Sequence, residues 1–185
     1  MSPDFSDEQL MQSFCDGDSK AFDTLYDRHR GGLYRYVVRL CGENRGNKDN
    51  ENLFQDCWLR IIEKRQQWDS KQALKPWLYR IAHNLVIDHL RREGRFEDDQ
   101  ELNPDDHSGN HKDLSIVAML QDCVERLKAL LGQLPQSQRD VFLLKEEGGL
   151  TLAEIGEIND IGRETVKSRL RYANQRLKQG LEGCE

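Results

Sequence analysis

A stripe of cations, an amide and an indole runs through residues 76–92, which read P-W-L-Y-R-I-A-H-N-L-V-I-D-H-L-R-R. Wound at about 100° per residue, Arg80, Asn84, Ile87 and Arg91 align, with Trp77 and Asp88 beside them. Leu78, Ile81, Ala82, Leu85 and His89 fall on a different face. A surface helix needs only one apolar face. The second face here joins guanidinium groups to an aromatic, a pairing that suits phosphates and unstacked bases. Pro76 fits the first helical position, where a missing N–H costs nothing. The same pattern also fits a core helix with a solvated basic side.

A second set of polar side chains lies in residues 151–172, T-L-A-E-I-G-E-I-N-D-I-G-R-E-T-V-K-S-R-L-R-Y. Thr151 and Glu154 have the S/T-x-x-E spacing of a capping box. Ile155 and Ile158 form the inner face of a short helix, and Gly156 allows close helix approach. Asn159-Asp160 supplies a turn, because both types tolerate the left-handed conformation, and Gly162 can cap the next helix. That helix buries Val166, Leu170, Ala173 and Leu177, with Glu164, Thr165, Lys167, Ser168, Arg171 and Tyr172 on the opposite arc. Two helices joined by a tight turn, the second offering such groups outward, match a recognition helix in the major groove. Lysine and arginine reach guanine O6 and N7, and Ser or Thr bond several base edges. An ordinary helical hairpin with a basic solvent face is the alternative.

The elements that must position these groups are helical. Alternating β-branched runs are missing, while 3.6-residue patterns recur. Helices are expected at about residues 7–15, with Ser6 as N-cap, and 19–40, where Gly31-Gly32 kinks or divides the helix. Others follow at 51–68 and 76–92, then from 114, with Asp113 as cap, and at 136–147. Residues 93–113 hold Glu97, Asp98, Asp99, Glu101, Asp105 and Asp106 with few apolar side chains, which reads as a disordered tether. The fold class is therefore all-α: two small helical domains, 1–92 and 114–185, joined by a flexible acidic linker at 93–113.

Composition narrows the function. The net charge is −6, from 27 basic and 33 acidic residues, which argues against free-standing non-specific DNA binding driven by phosphate neutralisation. No apolar run approaches a membrane span, and residues 1–11 are too acidic and polar for a signal peptide. Five cysteines, Cys15, Cys41, Cys57, Cys123 and Cys184, are scattered without C-x-x-C spacing, which suggests reduced thiols in a cytoplasmic protein.

Both motifs, in this order and separation, resemble a bacterial RNA polymerase sigma factor of the extracytoplasmic-function (ECF) group. A-F-D-T-L-Y-D-R-H-R (21–30) and L-Y-R-Y (33–36) resemble the start of sigma region 2. N-L-F-Q-D-C-W-L-R (52–60) resembles the helix that docks on the polymerase clamp, and W-L-Y-R-I-A-H-N-L-V-I-D-H-L-R-R is the most specific stretch. L-P-Q-S-Q-R-D-V-F-L-L-K (134–145) and G-L-T-L-A-E-I onward resemble region 4. The resemblance implies a factor that binds core polymerase, opens the minus-ten element by capturing flipped bases and reads the minus-thirty-five element. Ser70 and Lys71 would lie in a loop holding an extruded base, and Trp77, Arg80, Asn84, Asp88 and Arg91 would line or support the strand-separation surface. Arg163, Thr165, Lys167, Ser168, Arg171 and Tyr172 would face the upstream element. Gln55, Asp56 and Arg60 would contact polymerase. The implied partners are core polymerase, promoter DNA and an anti-sigma protein, with no cofactor and no membrane insertion. Asp160 stands where the family usually has a turn glycine, Gly162 where it has a Ser-type cap, and 48–52 is less acidic than D-A-E-D-L.

Two other readings compete. A helix-turn-helix regulator independent of polymerase explains 151–172 equally well, but not the 77–92 face or the acidic tether. A metal sensor or enzyme could use His107, His111 and Cys123, or Cys15 or Cys41, yet no nucleophile motif is present and Cys123 falls on the inner side of its helix.

Overall fold

In the computed structural model, residues 5–42, 47–94 and 116–184 are described, the side chains of residues 47 and 116–120 excepted. The elements are α1 (Asp7–Cys15), α2 (Ser19–Cys41), α3 (Asn47–Lys64), a single 3-10 turn (Arg65–Gln67), α4 (Leu74–Arg92), α5 (Ile116–Gln133), α6 (Gln136–Glu146), α7 (Leu152–Asn159) and α8 (Arg163–Gly180). Among the described residues there is no strand. The expected linker lies, from residue 95 onward, outside the described residues, as do Asp113, His107 and His111.

Local signals fix most boundaries. The Ser6 side chain accepts from the Gln9 N–H while Gln9 reaches back to the Ser6 N–H, a reciprocal cap on α1. The N-cap of α4 is Ala73, which offers no side-chain acceptor. Its orphan donors are served from α1 instead, the Leu74 N–H donating to the Glu8 carboxylate at 3.1 Å. That bond holds the Glu8 carboxyl below its ordinary value. Pro76 is therefore the third helical residue, not the first. The shift is harmless, because the N–H groups of the whole first turn lack intrahelical partners.

Gly31-Gly32 neither kinks nor divides α2, which runs unbroken for 23 residues. Gly32 is instead a point of close approach: a Cβ there would lie 2.7 Å from the Tyr79 hydroxyl and 3.3 Å from the Glu147 carbonyl oxygen. The expected 51–68 helix starts earlier and ends as a 3-10 turn before buried Trp68.

One continuous core joins the N-terminal helices to the C-terminal ones. Leu25, Leu33, Tyr36, Leu40, Leu78 and Leu85 cluster with Val141, Leu144, Leu150, Ile155 and Val166. A smaller satellite of Leu131, Leu134, Ala173 and Leu177 seats α5 on α8. Polar groups cross the main seam in matched pairs. The Tyr36 hydroxyl donates to Asp140 Oδ1 at 2.7 Å, and His83 Nδ1 lies 3.1 Å from Asp140 Oδ2. Tyr36, His83 and Asp140 are all buried. Glu147, its side chain 8 % exposed, receives Arg35 at 2.6 Å and also Arg39. Arg139 and Gln136 donate to the Leu40 carbonyl near the end of α2, where orphan carbonyls and the helix dipole favour a cation.

The cysteines depart from the reduced set expected. Cys123 and Cys184 form a disulfide, whereas Cys15, Cys41 and Cys57 are free thiols. A partner 61 residues away has no local spacing signal.

Candidate nucleic-acid interface

α4 is buried on most of its circumference. Leu78, Tyr79, Ile81, Ala82, His83, Leu85, Val86 and Leu90 are all in the interior. What remains is a strip: Arg80, Asn84, Asp88 and Arg91 are exposed, and Trp77 is half-buried against the core. These five positions span an arc of about 80° on a 3.6-residue helix. Ile87, read from periodicity as part of that strip, is only 6 % exposed. α7 packs on α4, and Ile87 joins the same hydrophobic cluster as Ile155 and Ile158. At the edge of that contact the Arg80 guanidinium lies 3.5 Å from the Glu157 carboxylate. His89, expected on the core face, is half-exposed and lies 3.4 Å from Glu93.

The loop before α4 adds two exposed groups, Ser70 and Lys71. Its shape is set by Asp69, whose side chain accepts the Lys71 N–H at 3.0 Å and whose carbonyl accepts the Gln72 N–H at 2.9 Å. Buried Trp68 anchors one end and buried Leu74 the other.

The second surface is α8. The α7 cap forms as spaced, the Glu154 N–H donating to the Thr151 hydroxyl and the Thr151 N–H to Glu154. Asp160 adopts φ 55°, ψ 45°, the left-handed turn a glycine would ordinarily make. A Cβ at Gly156 would come within 2.8 Å of the Ile161 carbonyl oxygen, so this glycine sets the tight approach across the turn. Val166, Ala173 and Leu177 are buried, and Leu170 is half-buried. Arg163, Thr165, Lys167, Arg171 and Tyr172 point to solvent, and Ser168 is half-exposed. Lys167 pairs with Glu164 at 2.7 Å, a contact that lowers the Glu164 carboxyl from its usual range. The Ser168 hydroxyl donates back to the Thr165 carbonyl at 2.9 Å. The Arg171 guanidinium sits 5.0 Å from the Tyr172 ring centroid.

A third surface lies on α3, where Gln55, Asp56 and Arg60 are exposed together. Leu59, absent from the sequence-derived set, stands among them at 56 % exposure. Its signal was its phase: it falls outside the Leu53, Cys57, Trp58 and Ile61 core pattern. Tyr36 fits the core pattern of α2, but its pairing with Asp140, and the seam roles of His83 and Glu147, have no signal in the sequence. The metal-ligand candidates do not converge among the described residues: Cys123 is paired with Cys184, and the Cys15 thiol donates to the Arg65 carbonyl at 3.2 Å.

A helix presenting a cationic and aromatic strip, followed by a helix-turn-helix, defines a DNA-binding transcription protein. The family model for Sigma-70 region 2 matches residues 25–96, and that for Sigma-70, region 4, matches residues 130–179. The RNA polymerase sigma-H factor of Pseudomonas aeruginosa is 28 % identical over 95 % of this chain and 94 % of its own length. The ECF RNA polymerase sigma-E factor of Haemophilus influenzae is 25 % identical over 98 % of each chain. The ECF sigma factor SigW of Bacillus subtilis is 28 % identical over 89 % of this chain and 91 % of its own. In fold, the chain is similar to CnrH, solved with the cytosolic domain of CnrY, at TM-score 0.69 and 21 % identity, covering 96 % of this chain and 97 % of that one. It is also similar to RpoE of Bartonella quintana, solved with the anti-sigma factor NepR, at TM-score 0.66 and 22 % identity, covering 88 % and 98 %. The chain belongs to the sigma-70 family, in its ECF group. It is a factor for promoter-specific initiation of transcription by RNA polymerase. No described helix is long and apolar enough to cross a membrane.

Proposed function

We propose that this factor docks on core RNA polymerase through α3, melts the minus-ten element with the exposed strip of α4, and reads the minus-thirty-five element with α8. Residues 1–92 would then form one functional unit and residues 114–185 the other, with 93–113 as the tether. The observation that carries the reading is the α4 strip, polar and exposed on a helix otherwise buried.

Melting without nucleotide hydrolysis needs binding energy available only to the open strands. Extruding a base costs a few kcal/mol. Stacking on an aromatic returns about 1–3 kcal/mol per base, and bonds to the extruded edge add more. Trp77 supplies an apolar wall, Asn84 both donates and accepts, and Arg80 and Arg91 hold the backbone. Asp88 repels phosphate and serves to orient Asn84 or an arginine. Engagement requires Arg80 to exchange Glu157 for DNA.

On α3, Leu59 gives Gln55, Asp56 and Arg60 an apolar centre, the arrangement of a small docking patch. A chain that works with polymerase acts in the cytoplasm, and the likeness in fold to RpoE, solved with the anti-sigma factor NepR, supports such a partner here. The test is reconstitution with purified core polymerase, followed by sequencing of transcript 5′ ends. Co-elution and start sites sharing two upstream elements are expected. A chain that binds DNA yet never co-elutes with polymerase would support a regulator acting alone.

A further inference from the structure

The Cys123–Cys184 pair is assembled by the fold and not by proximity in sequence. α8 ends at Gly180, and the chain then hooks back: the Leu181 N–H donates to the Leu177 carbonyl and the Cys184 N–H to the Leu181 carbonyl, at 3.0 and 2.9 Å. Gly183, at φ 91°, makes the hook with a backbone that other residues rarely adopt. Gly180 lets the end of α8 lie directly on α5, since a Cβ there would overlap the Leu130 side chain. α5 and α8 run antiparallel, with Leu131 and Leu134 against Ala173 and Leu177, so Cys123 arrives opposite the hook. The two Cα atoms are 5.8 Å apart, within the span of a disulfide.

The rest of the contact is thin. Leu127 and Leu130 are only partly buried in the α5–α8 satellite, and Val124 is 51 % exposed. One turn before Leu127, the disulfide ties α5 to the hook that follows α8.

We propose that Cys123 and Cys184 are a reversible thiol–disulfide site, taking a low-molecular-weight disulfide as oxidant, that clips the first half of α5 to the hook after α8. One cysteine thiolate displaces a thiolate from the small disulfide and forms a mixed disulfide. The other cysteine thiolate attacks the protein sulfur of that adduct and expels the second small thiolate. Two cysteine thiols are oxidised, one small disulfide is reduced to two thiols, and the two cysteine protons end on the released thiolates. Excess small thiol reverses both steps. Both cysteines are half-exposed, so the oxidant can reach them. The other thiols compete poorly: burial pushes the Cys57 thiol up to about 12, and burial also raises Cys15, which disfavours the reactive thiolate. A sensing role, unlike the pairing itself, rests on the transcription reading, because disulfides inside cells mostly serve as transient redox signals.

The experiment uses the purified full chain alone, equilibrated in buffers of graded reduced-to-oxidised glutathione. Remaining thiols are alkylated, linked peptides are mapped, and amide exchange is followed along α5. The expected result is a Cys123–Cys184 linked peptide that appears with oxidation and vanishes with excess thiol, with exchange near Cys123 slowing about tenfold when linked. Cys184→Ser should exchange at the reduced rate in every buffer, Cys15→Ser should respond like the parent, and Gly183→Ala should link less at a given poise. Full alkylation of Cys123 and Cys184 in every buffer, or linkage to Cys15, Cys41 or Cys57 in their place, would overturn the site. Linkage with unchanged exchange along α5 would overturn the clip. Because polymerase and DNA are left out, failure here is distinct from failure of the promoter reading.

Discussion

The Tyr36 hydroxyl donates a 2.7 Å hydrogen bond to the Asp140 carboxylate across 104 residues of sequence, with both side chains buried. This bond ties α2, in the half that carries the exposed α4 strip, to α6, which supports the helix-turn-helix. Burial, then the neighbouring Asp140 charge, pushes the Tyr36 phenol well above its ordinary value, so the hydroxyl keeps its proton and its role as donor.

Asp140→Ala should therefore cost about 1–3 kcal/mol, because it removes the 2.7 Å acceptor of the buried Tyr36 hydroxyl and leaves that group the longer 3.4 Å approach to His83 Nδ1. Tyr36→Phe should cost about 1 kcal/mol. Trp58, Trp68 and Trp77 all lie in the N-terminal half, so their fluorescence reports that half while circular dichroism reports all helices. The shared core predicts coincident denaturation by both probes in the parent protein. Two separated transitions would show that the halves unfold independently.

Gly32→Ala puts a methyl 2.7 Å from the Tyr79 hydroxyl. The change is a good one for an isolated helix, yet it should destabilise this protein by about 1–3 kcal/mol through overpacking. Gly31→Ala, which meets only the end of the Arg35 side chain at 3.4 Å, should be neutral or stabilising. Thermal melts of the two variants separate close approach from mere helix propensity.

The Glu8 carboxyl is lowered from 4.5 mainly by the Leu74 N–H. A carboxyl depressed by folding contributes stability that is fully present above its unfolded value and is lost as pH falls through its folded value. Its share should thus disappear below about pH 4.5. The contribution is below about 1 kcal/mol, because the group is largely solvated. Stability measured against pH should fall less steeply in Glu8→Gln over that acid range. An unchanged slope would mean that the cap contributes nothing.

On α8, Lys167→Ala and Arg171→Ala should each cost about 1–3 kcal/mol of promoter binding and relax specificity at one position, if they read bases. Equal loss on all sequences with a shallower salt dependence would assign them to phosphates. Glu164→Gln releases Lys167 from its 2.7 Å pair and removes an anion from the arc proposed to face DNA, so it should tighten binding. Quantitative binding to promoter and scrambled duplexes at several salt concentrations decides among these.

Periodicity and caps made the helices legible, because both are local. Ser6, the Thr151–Glu154 box and the left-handed Asp160 all do what their types and spacing require. The α4 strip was legible for the same reason, apart from Ile87, whose burial in the shared core depends on tertiary packing. The Tyr36–Asp140 bond, the Arg35–Glu147 pair and the Cys123–Cys184 link were not legible, since each joins residues 61 to 112 positions apart. Gly32 shows the limit of punctuation signals: a glycine pair marks a special backbone requirement, but whether that is a break or a close approach depends on a neighbour in space.

Promoter opening by the α4 strip is tested most directly by Asn84→Ala and Arg80→Ala in transcription with core polymerase. Each is compared on a duplex promoter and on one already mismatched across the minus-ten element. Asn84 is exposed, and so is the Arg80–Glu157 pair, so both variants should fold and bind polymerase as the parent does. Loss of one base-edge contact worth about 1–3 kcal/mol should slow initiation on the duplex by roughly ten- to hundredfold. The mismatched template should restore much of that rate, because its melting cost has already been met. Parental rates for both variants on the duplex promoter would contradict melting by this helix.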